Sequence, residues 1–337
     1  MTGHYIVFES IGNAAVKPFE VAQPKPGEVL LENDYTVISA GTERANLMQL
    51  PNTGTAETGF PFLPGYCGAG RVSAVGDGVA SLNVGDRVVV NWGWHRSHTI
   101  RRADATLRID DDSIDLFDAA FAPITAFSLL AVRKLRLEIG ESVMIAGQGI
   151  LGVFALQFAS LSGAIPVLVA DLDPDRRALA LKLGATAALS PAAADFVAQV
   201  KALTDGKGPN AVVEVTGLAV ALQQALEYVA WEGRISLLGC TRVSDVPIDF
   251  YKYVHRRGIS LIGAHTNTRA KQESSPGHWT EFDDYRTYLK LVAAGKVQTR
   301  PMVSEVVSPE TAPAVYKRLA EDKNPPLGIV FDWSKVR

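Results

Sequence analysis

Cysteine is scarce in this sequence, with Cys67 and Cys240 the only two among 337 residues. Two cysteines cannot build a disulfide framework, and they cannot supply the four thiolates of a structural zinc lobe. An excess of charge is missing as well: the net charge is -3, which excludes the strongly basic surface that proteins use to hold nucleic acid. We therefore expect a protein of the reducing cytosol with no nucleic-acid partner.

Long apolar runs are also absent. No apolar stretch reaches the ~18 residues that a membrane span requires, and the first residues lack the charged start and apolar segment of a signal peptide. We expect no membrane partner and a cytoplasmic location. The content of 47% hydrophobic and 20% charged residues is typical of a soluble globular enzyme. A chain of this length is too long for one ordinary core, so we expect two domains.

A glycine-rich turn between two apolar runs is the clearest positive feature. The run that ends at Ala146 is followed by Gly147, Gly149 and Gly152, and a second apolar run ends at Asp171. Glycines at these places permit a sharp turn and a close approach of the backbone to a pyrophosphate. Apolar residues from Ile150 and Leu151 onward have helical spacing, and the free N–H groups of such a helix would face the phosphates.

Strand, turn, helix, strand and acid in this order predict a nicotinamide dinucleotide site. We expect Asp171 to accept hydrogen bonds from the adenosine ribose and to repel the extra phosphate of NADP, which favours NAD. Arg176 and Arg177 follow on the next helix and could reach a 2′-phosphate, so NADP stays open as an alternative. We also place Thr216 and Gly239, at the ends of two later apolar runs, in the cofactor site.

The remaining pattern divides the chain. Short strands broken by glycine and proline fill the first 120 or so residues, as in a compact β-rich domain. Strands alternate with amphipathic helices over residues 124–263, which predicts a doubly wound parallel sheet of the α/β class. After residue 263 we expect a polar stretch, a helix over residues 282–294, a strand over residues 302–307 and a last helix over residues 309–320.

Together these segments resemble the medium-chain dehydrogenase/reductase superfamily. The resemblance covers nearly the whole chain, and it is carried by five segments: residues 26–30, 64–72, 84–88, 147–152 and 232–239. It implies a chaperonin-10-like catalytic domain built from residues 1–123 and 264–337, and a Rossmann NAD-binding domain over residues 124–263. The details around Thr42 and Tyr66 are more similar to the bacteriochlorophyllide dehydrogenase branch than to liver-type alcohol dehydrogenases.

The resemblance breaks at the zinc ligands. Zinc-dependent members bind the catalytic metal at positions that here hold Ala40, Tyr66, Cys67 and Phe121. Only Cys67 of these can bind zinc well, and a catalytic site needs about three protein ligands. We therefore expect no zinc. A relocated metal site that combines Cys67 with His95 or His98 is the alternative, and it lacks a supporting motif.

Without zinc, a hydrogen-bond donor must stabilise the negative charge that hydride transfer places on oxygen. Tyr66 stands where a zinc-binding histidine would stand, so we take its hydroxyl as the first candidate for this role. Thr42 occupies the place of the family's proton-relay hydroxyl, and His95 is a third catalytic candidate because imidazole titrates near neutrality. For the substrate pocket we name Trp92, which matches a family aromatic, with Cys67 and Arg269.

The sequence thus predicts a zinc-independent, NAD-dependent oxidoreductase acting on a secondary alcohol or ketone, with a polyol or a sugar-like compound among the candidates. An enone or quinone reductase and a catalytically silent dinucleotide-binding protein are the alternatives. The strand over residues 259–263 ends the predicted sheet. Relatives pair such an edge with a second copy, so we expect a homodimer.

Overall fold

The computed structural model describes residues 1–322 and 325–336, which form two compact units. The first, here called the β-rich unit, comprises the described residues of 1–124, 289–293 and 302–337. The second, the parallel-sheet unit, comprises residues 125–288 and 294–301. Residues 264–288, which the sequence analysis placed in the C-terminal part of the catalytic domain, group instead with the parallel-sheet unit, because their contacts lie mainly there.

Strands predominate in the first part of the described chain, and strands and helices alternate in the middle part. In chain order the strands are β1 (Thr2–Ser10), β2 (Asn13–Glu20), β3 (Glu28–Val37), β4 (Cys67–Val75), β5 (Arg87–Asn91), β6 (His98–Arg102), β7 (Leu107–Arg108), β8 (Val143–Ala146), β9 (Val167–Ala170), β10 (Ala187–Leu189), β11 (Ala211–Glu214), β12 (Arg234–Leu237), β13 (Ser260–Gly263), β14 (Val303–Val307) and β15 (Gly328–Asp332).

The α-helices are α1 (Ala40–Leu47), α2 (Gly54–Thr58), α3 (Leu116–Ala119), α4 (Ala122–Leu135), α5 (Ile150–Leu161), α6 (Pro174–Lys182), α7 (Phe196–Ala202), α8 (Ala219–Tyr228), α9 (Glu281–Ala293) and α10 (Ala312–Glu321). No helix in residues 1–322 or 325–336 combines the length and the apolar character needed to cross a bilayer.

A six-stranded parallel sheet forms the centre of the parallel-sheet unit. Its order is β10-β9-β8-β11-β12-β13, and each neighbouring pair is parallel. Strands β8, β9 and β11 are buried along their whole length, as expected of strands covered by helices on both faces. Counted from β8, this is the 3-2-1-4-5-6 order of a dinucleotide-binding fold, so the predicted doubly wound sheet is confirmed.

The β-rich unit contains a hairpin and a larger mixed sheet. Strands β1 and β2 pair antiparallel, and the sheet runs β14-β15-β3-β4-β5-β7, with β6 also paired to β3. Strand β15, from the C-terminal end of the described chain, pairs antiparallel with β3. Chain ends that are distant in sequence are therefore joined by backbone hydrogen bonds in one sheet. The aromatic residues Phe8, Tyr316, Phe331 and Trp333 lie in its core.

Several predicted elements lie where the sequence placed them, with shifted ends. The helix expected over residues 309–320 begins with a 3-10 turn at Pro309–Thr311, and α10 itself starts at Ala312. The β1–β2 hairpin and β15 were not predicted from the sequence. Strand β13 ends the parallel sheet, and Ser260 and Gly263 on it are exposed. Pairing of this edge in a homodimer stays a prediction.

Candidate functional site

The glycine turn follows β8 directly. Gly147 has φ +101°, a left-handed conformation that side chains rarely adopt, and a Cβ at this position would lie 3.0 Å from Thr216 Cγ2. A Cβ at Gly152 would lie only 1.9 Å from the Gly147 carbonyl oxygen. Gly149 differs, because a Cβ there would meet no atom within 4 Å. Two of the predicted glycines are thus required by backbone packing, and the third borders open space.

The first turn of α5 is free to receive an anion. Gly149 is the N-cap residue of this helix and supplies no side-chain cap, so the turn that includes Ile150 and Leu151 presents unsatisfied N–H groups. Partial positive charge at a helix N-terminus favours a phosphate group. The residues from Gly147 to Gly152 therefore fit the pyrophosphate of a nicotinamide dinucleotide. When bound, the nicotinamide of this cofactor would supply the hydride chemistry.

Asp171 lies beside the same turn. Its Oδ2 accepts the Gln148 N–H at 2.7 Å, and its Oδ1 accepts the Asp173 N–H at 2.8 Å. The neighbouring arginines are engaged elsewhere, since Arg176 pairs with Asp173 at 3.8 Å and Arg177 donates to the carbonyl oxygens of Asp171 and Leu172. The acidic group borders the turn, and its role as a ribose-binding carboxylate stays a prediction.

Glu214, the last residue of β11, contacts the residues that follow β11 and β12, and it was not predicted from the sequence. Its carboxylate accepts hydrogen bonds from the backbone N–H groups of Thr216 and Gly217 and from the Thr216 hydroxyl. Burial raises the pKa of Glu214, and these hydrogen bonds oppose that rise. A Cβ at Gly239 would lie 2.2 Å from the Gly217 nitrogen, so the predicted residues Thr216 and Gly239 do lie together at the strand ends.

The side chains at the family's zinc-ligand positions do not fit a zinc ion. No three His, Cys, Asp or Glu side chains lie together in a way that could hold a metal ion, within residues 1–322 and 325–336. Both ring nitrogens of His95 already contact protein atoms, and His98 Nδ1 contacts the Ser97 hydroxyl at 3.0 Å. The relocated site with Cys67 would require these contacts to break. Zinc independence itself stays a prediction.

Tyr66 is buried in the β-rich unit, just before β4. Its hydroxyl donates to Ser39 Oγ at 2.7 Å, and its ring stacks on Trp92 with centroids 5.2 Å apart. Burial, with smaller contributions from Cys67 and Glu43, raises the pKa of Tyr66 well above its ordinary value, while hydrogen bonds with Ser39 and Thr42 act against the rise. The phenol therefore stays protonated at neutral pH and can act as a hydrogen-bond donor.

A second buried group of side chains surrounds Glu43. Its Oε1 accepts the Ser39 N–H at 2.8 Å, and its Oε2 contacts His95 Nε2 at 3.1 Å and accepts the Tyr316 hydroxyl at 2.5 Å. Burial and the Glu43 charge raise the pKa of Tyr316. Three donors around one buried carboxylate offset the cost of removing it from water.

The other side of the imidazole fixes the direction of these bonds. His95 Nδ1 lies 2.8 Å from Thr36 Oγ1, which also accepts the indole N–H of Trp333 at 2.9 Å. Because an indole N–H can only donate, the Thr36 hydroxyl hydrogen is free to donate to Nδ1. Since the Glu43 carboxylate can only accept, both contacts agree with a neutral His95 whose proton is on Nε2, where it donates to Glu43.

These contacts bear on the predicted catalytic role of His95, which stays a prediction. The side chain is 0% exposed and both nitrogens are bonded within the protein, which favours a supporting role over direct contact with a substrate. Cys67 and Thr42 both lie beside Tyr66, as the causes of its pKa shift show. Trp92 covers the Tyr66 ring and is 44% exposed. The structure thus gathers three of the predicted residues, Thr42, Cys67 and Trp92, around the Tyr66 phenol, and the catalytic and pocket roles of all four stay predictions.

Arg269 lies in the parallel-sheet unit in an ion-pair cluster. Its guanidinium is 3.2 Å from Glu281 and 3.7 Å from Asp284, and Arg133 contacts Asp284 as well. Burial raises the pKa of Asp284 to about 6, while Arg133 and Arg269 act against that rise. The predicted substrate residue therefore contacts the buried Asp284 and the half-buried Glu281, and its substrate role stays a prediction.

Ser39 is the functional candidate that the sequence analysis overlooked. It lies in the same segment as Ala40 and Thr42, and it is the N-cap residue of α1. The available signal was a serine followed four residues later by an acid, a spacing close to that of a capping box, in which the acid reaches back to the N-cap N–H.

Comparisons with known proteins agree with the two-unit architecture. Residues 25–120 match the model of the alcohol dehydrogenase GroES-like domain, and residues 151–291 match the model of zinc-binding dehydrogenases. The L-threonine 3-dehydrogenase of Pyrococcus abyssi is 29% identical over 320 residues, which cover 82% of this chain and 91% of that protein.

Two solved structures are similar in fold. The 2R,3R-butanediol dehydrogenase of Bacillus subtilis has a TM-score of 0.80 at 20% identity, with 98% of this chain and 99% of that chain covered. A protein of Sinorhizobium meliloti 1021 bound to NADP has a TM-score of 0.83 at 21% identity, with the same coverage. With the sheet order, the glycine turn and both domain models in agreement, the chain belongs to the medium-chain dehydrogenase/reductase superfamily.

Proposed function

We propose that this protein is a zinc-independent, NAD-dependent oxidoreductase that transfers hydride between nicotinamide and a secondary alcohol or ketone. The observation that carries the proposal is the buried Tyr66 hydroxyl, which occupies the sequence position of a zinc-binding histidine and is held by Ser39. The relatives support the reaction class, since the proteins compared above are named as dehydrogenases of threonine and butanediol.

Tyr66 supplies the proton in this proposal. When a ketone is reduced, its carbon gains a hydride and its oxygen takes the proton of the Tyr66 hydroxyl, which yields the alcohol. Ser39 accepts from Tyr66 in the free protein; when the Tyr66 hydroxyl hydrogen rotates toward a substrate oxygen, Ser39 can donate its own hydroxyl hydrogen to the phenol oxygen, which stays in place. Because burial raises its pKa, Tyr66 carries its proton at neutral pH, and the tyrosinate left after the transfer regains a proton from solvent before the next turnover.

The cofactor preference follows from Asp171. Its carboxylate lies against the glycine turn, and the nearby Arg176 and Arg177 are occupied by Asp173 and by carbonyl oxygens. The negative charge of this carboxylate disfavours the 2′-phosphate of NADP. We propose NAD as the preferred cofactor, although the similar Sinorhizobium meliloti 1021 structure holds NADP.

The test is a turnover screen with NADH and with NADPH. The panel contains butane-2,3-dione, acetoin, fructose, cyclohexenone and benzoquinone, assayed with the unmodified chain, Tyr66→Phe and the control Tyr5→Phe. We expect ketone reduction with NADH, a kcat about 100-fold or more lower in Tyr66→Phe, and little change in Tyr5→Phe.

Three other outcomes would overturn the proposal. Turnover of cyclohexenone or benzoquinone alone would assign an enone or quinone reductase. NADH binding without turnover of any compound would assign a silent dinucleotide-binding protein. Ketone turnover that survives in Tyr66→Phe would remove the tyrosine from the mechanism.

A further inference from the structure

The hydrogen bonds around Glu43 converge from two directions on Tyr66. One direction passes through Ser39. The Ser39 N–H donates to Glu43 Oε1 at 2.8 Å, and the Glu43 N–H donates to the Ser39 carbonyl at 2.8 Å, so the acid and the N-cap residue hold each other in the first turn of α1. Ser39 is 5% exposed, and these bonds hold its hydroxyl where it accepts the hydrogen bond of the Tyr66 hydroxyl.

The other direction passes through the backbone before Tyr66. The His95 N–H donates to the Pro64 carbonyl at 2.8 Å, and the imidazole packs against Gly65, where a Cβ would come within 2.6 Å of His95 Cδ2. Gly65 has φ +94°, a conformation suited to glycine. The Trp92 N–H then donates to the Tyr66 carbonyl at 3.0 Å. His95 therefore bounds the peptide that sets the position of Tyr66.

We propose that the buried Glu43–His95 pair, with Ser39, is a positioning unit that fixes the Tyr66 hydroxyl for proton donation; this inference rests on the proposed function. Glu43 holds Ser39, His95 holds both Glu43 and the Gly65 backbone, and neither reaches the substrate. A phenol oxygen that is already held in place avoids the cost of ordering the Tyr66 side chain during the reaction.

The geometry explains why a histidine is needed here. The imidazole connects Glu43 at Nε2 with Thr36 at Nδ1, across the core of the β-rich unit. A leucine would fill much of this volume but would leave the carboxylate with two donors, from Ser39 and Tyr316. A glutamine retains an N–H donor near the Nε2 position. The ionisable groups that face the pair are Tyr316 and, beyond Ser39, Tyr66 with Cys67.

A double-mutant cycle separates positioning from a general structural role. We expect His95→Leu and Ser39→Ala each to lower kcat for ketone reduction by about 10-fold or more, with the KM for NADH unchanged, and we expect His95→Gln to recover most of the rate. In a Tyr66→Phe background the same changes should alter kcat less than about twofold, because there is no hydroxyl to position. Equal losses in both backgrounds would overturn the inference.

Ser39→Ala keeps the cycle decisive if His95→Leu fails to fold, since it removes one hydroxyl and leaves the backbone bond to Glu43 in place. His98→Gln is the matched control, because His98 contacts Ser97 outside the unit. We expect this control to retain the kcat of the unmodified chain.

A second readout needs no substrate. The stacked Trp92 and Tyr66 rings should give a near-ultraviolet circular dichroism signal, defined as the difference between the unmodified chain and Trp92→Phe. We expect His95→Leu to lose this signal and His95→Gln to keep it. If Tyr66→Phe has no effect on turnover, the proposed function fails, and this signal alone tests the geometry. An intact signal in His95→Leu would overturn the inference whatever the activity.

Discussion

The candidate site of the parallel-sheet unit is formed mainly by backbone, and that of the β-rich unit mainly by side chains. In the parallel-sheet unit the cofactor region consists of backbone: a turn with positive φ at Gly147, a close approach at Gly152 and the open first turn of α5. In the β-rich unit the candidate donor is held by buried side chains, with Ser39, Glu43 and His95 behind Tyr66. The cofactor region is therefore sensitive to any added side chain, whereas the donor region is sensitive to the chemistry of particular side chains.

This contrast matters because the two kinds of site fail differently. A backbone site fails when an atom is added, since the peptide groups that bind the ligand must move. A buried side-chain network fails when a partner is removed, since the remaining polar group is left without water or protein to bond. The following predictions test this contrast in order of expected effect.

The largest effect should come from Gly152→Ala. The new Cβ would lie 1.9 Å from the Gly147 carbonyl oxygen, so the turn must move and the helix N-terminus with it. We expect NADH affinity to fall about 100-fold or more, together with a lower Tm, measured by fluorescence titration and calorimetry. Gly149→Ala is the control for stability, because its Cβ meets no atom within 4 Å. An unchanged Tm in Gly152→Ala would contradict the packing argument.

A change at Asp171 should have the next largest effect. Asp171→Asn removes the charge and keeps the size, so the preference for NADH over NADPH, measured as a ratio of kcat/KM, should fall by about 10-fold. Asp175→Asn, in the exposed first turn of α6, removes the same charge at a short distance along the chain and should leave the ratio unchanged. Equal shifts in both variants would show that net charge, not the Asp171 position, sets the preference.

Tyr316→Phe should produce a smaller effect on the other unit. It removes one of the three donors to Glu43 and leaves those from Ser39 and His95. The expected cost is about 1–2 kcal/mol in the free energy of unfolding, with kcat within about threefold, measured by denaturant unfolding and steady-state assays. A rate loss as large as that of Tyr66→Phe would mean that Tyr316 itself belongs to the positioning unit.

The smallest effect concerns pH. Burial raises the pKa of Tyr66 above its ordinary value of about 10, so the phenol keeps its proton throughout an assay range from about pH 6 to about pH 9. The rate ratio of the unmodified chain to Tyr66→Phe should therefore stay constant across that interval. A ratio that declines toward one between about pH 7 and about pH 9 would show that Tyr66 ionises in this range.

The sequence was most informative where function depends on neighbours along the chain. The turn from Gly147 to Gly152 and the acid at Asp171 belong to one strand–helix–strand segment, and the family resemblance and the parallel sheet followed from such segments. Local spacing is sufficient there because backbone geometry over a few residues determines whether a phosphate can approach.

The donor region was predicted only in part. Tyr66 and Thr42 could be named from their positions, but the pairing of His95 with Glu43 and the contribution of Tyr316 join residues that are far apart in the chain. Such contacts depend on how the sheet and α10 pack, which no local pattern records. For the same reason the contacts of Arg269 with Glu281 and Asp284 were not predicted from the sequence.

The central claim, that Tyr66 and not a metal ion provides the acid, is tested most directly by the kcat of metal-free protein. Zinc is removed by chelator, its content is measured by elemental mass spectrometry, and ketone reduction is assayed before and after zinc is restored. The account predicts full kcat at less than about a tenth of an equivalent of zinc, and loss of that kcat in Tyr66→Phe. Activity that disappears with the metal and returns with one equivalent would contradict it.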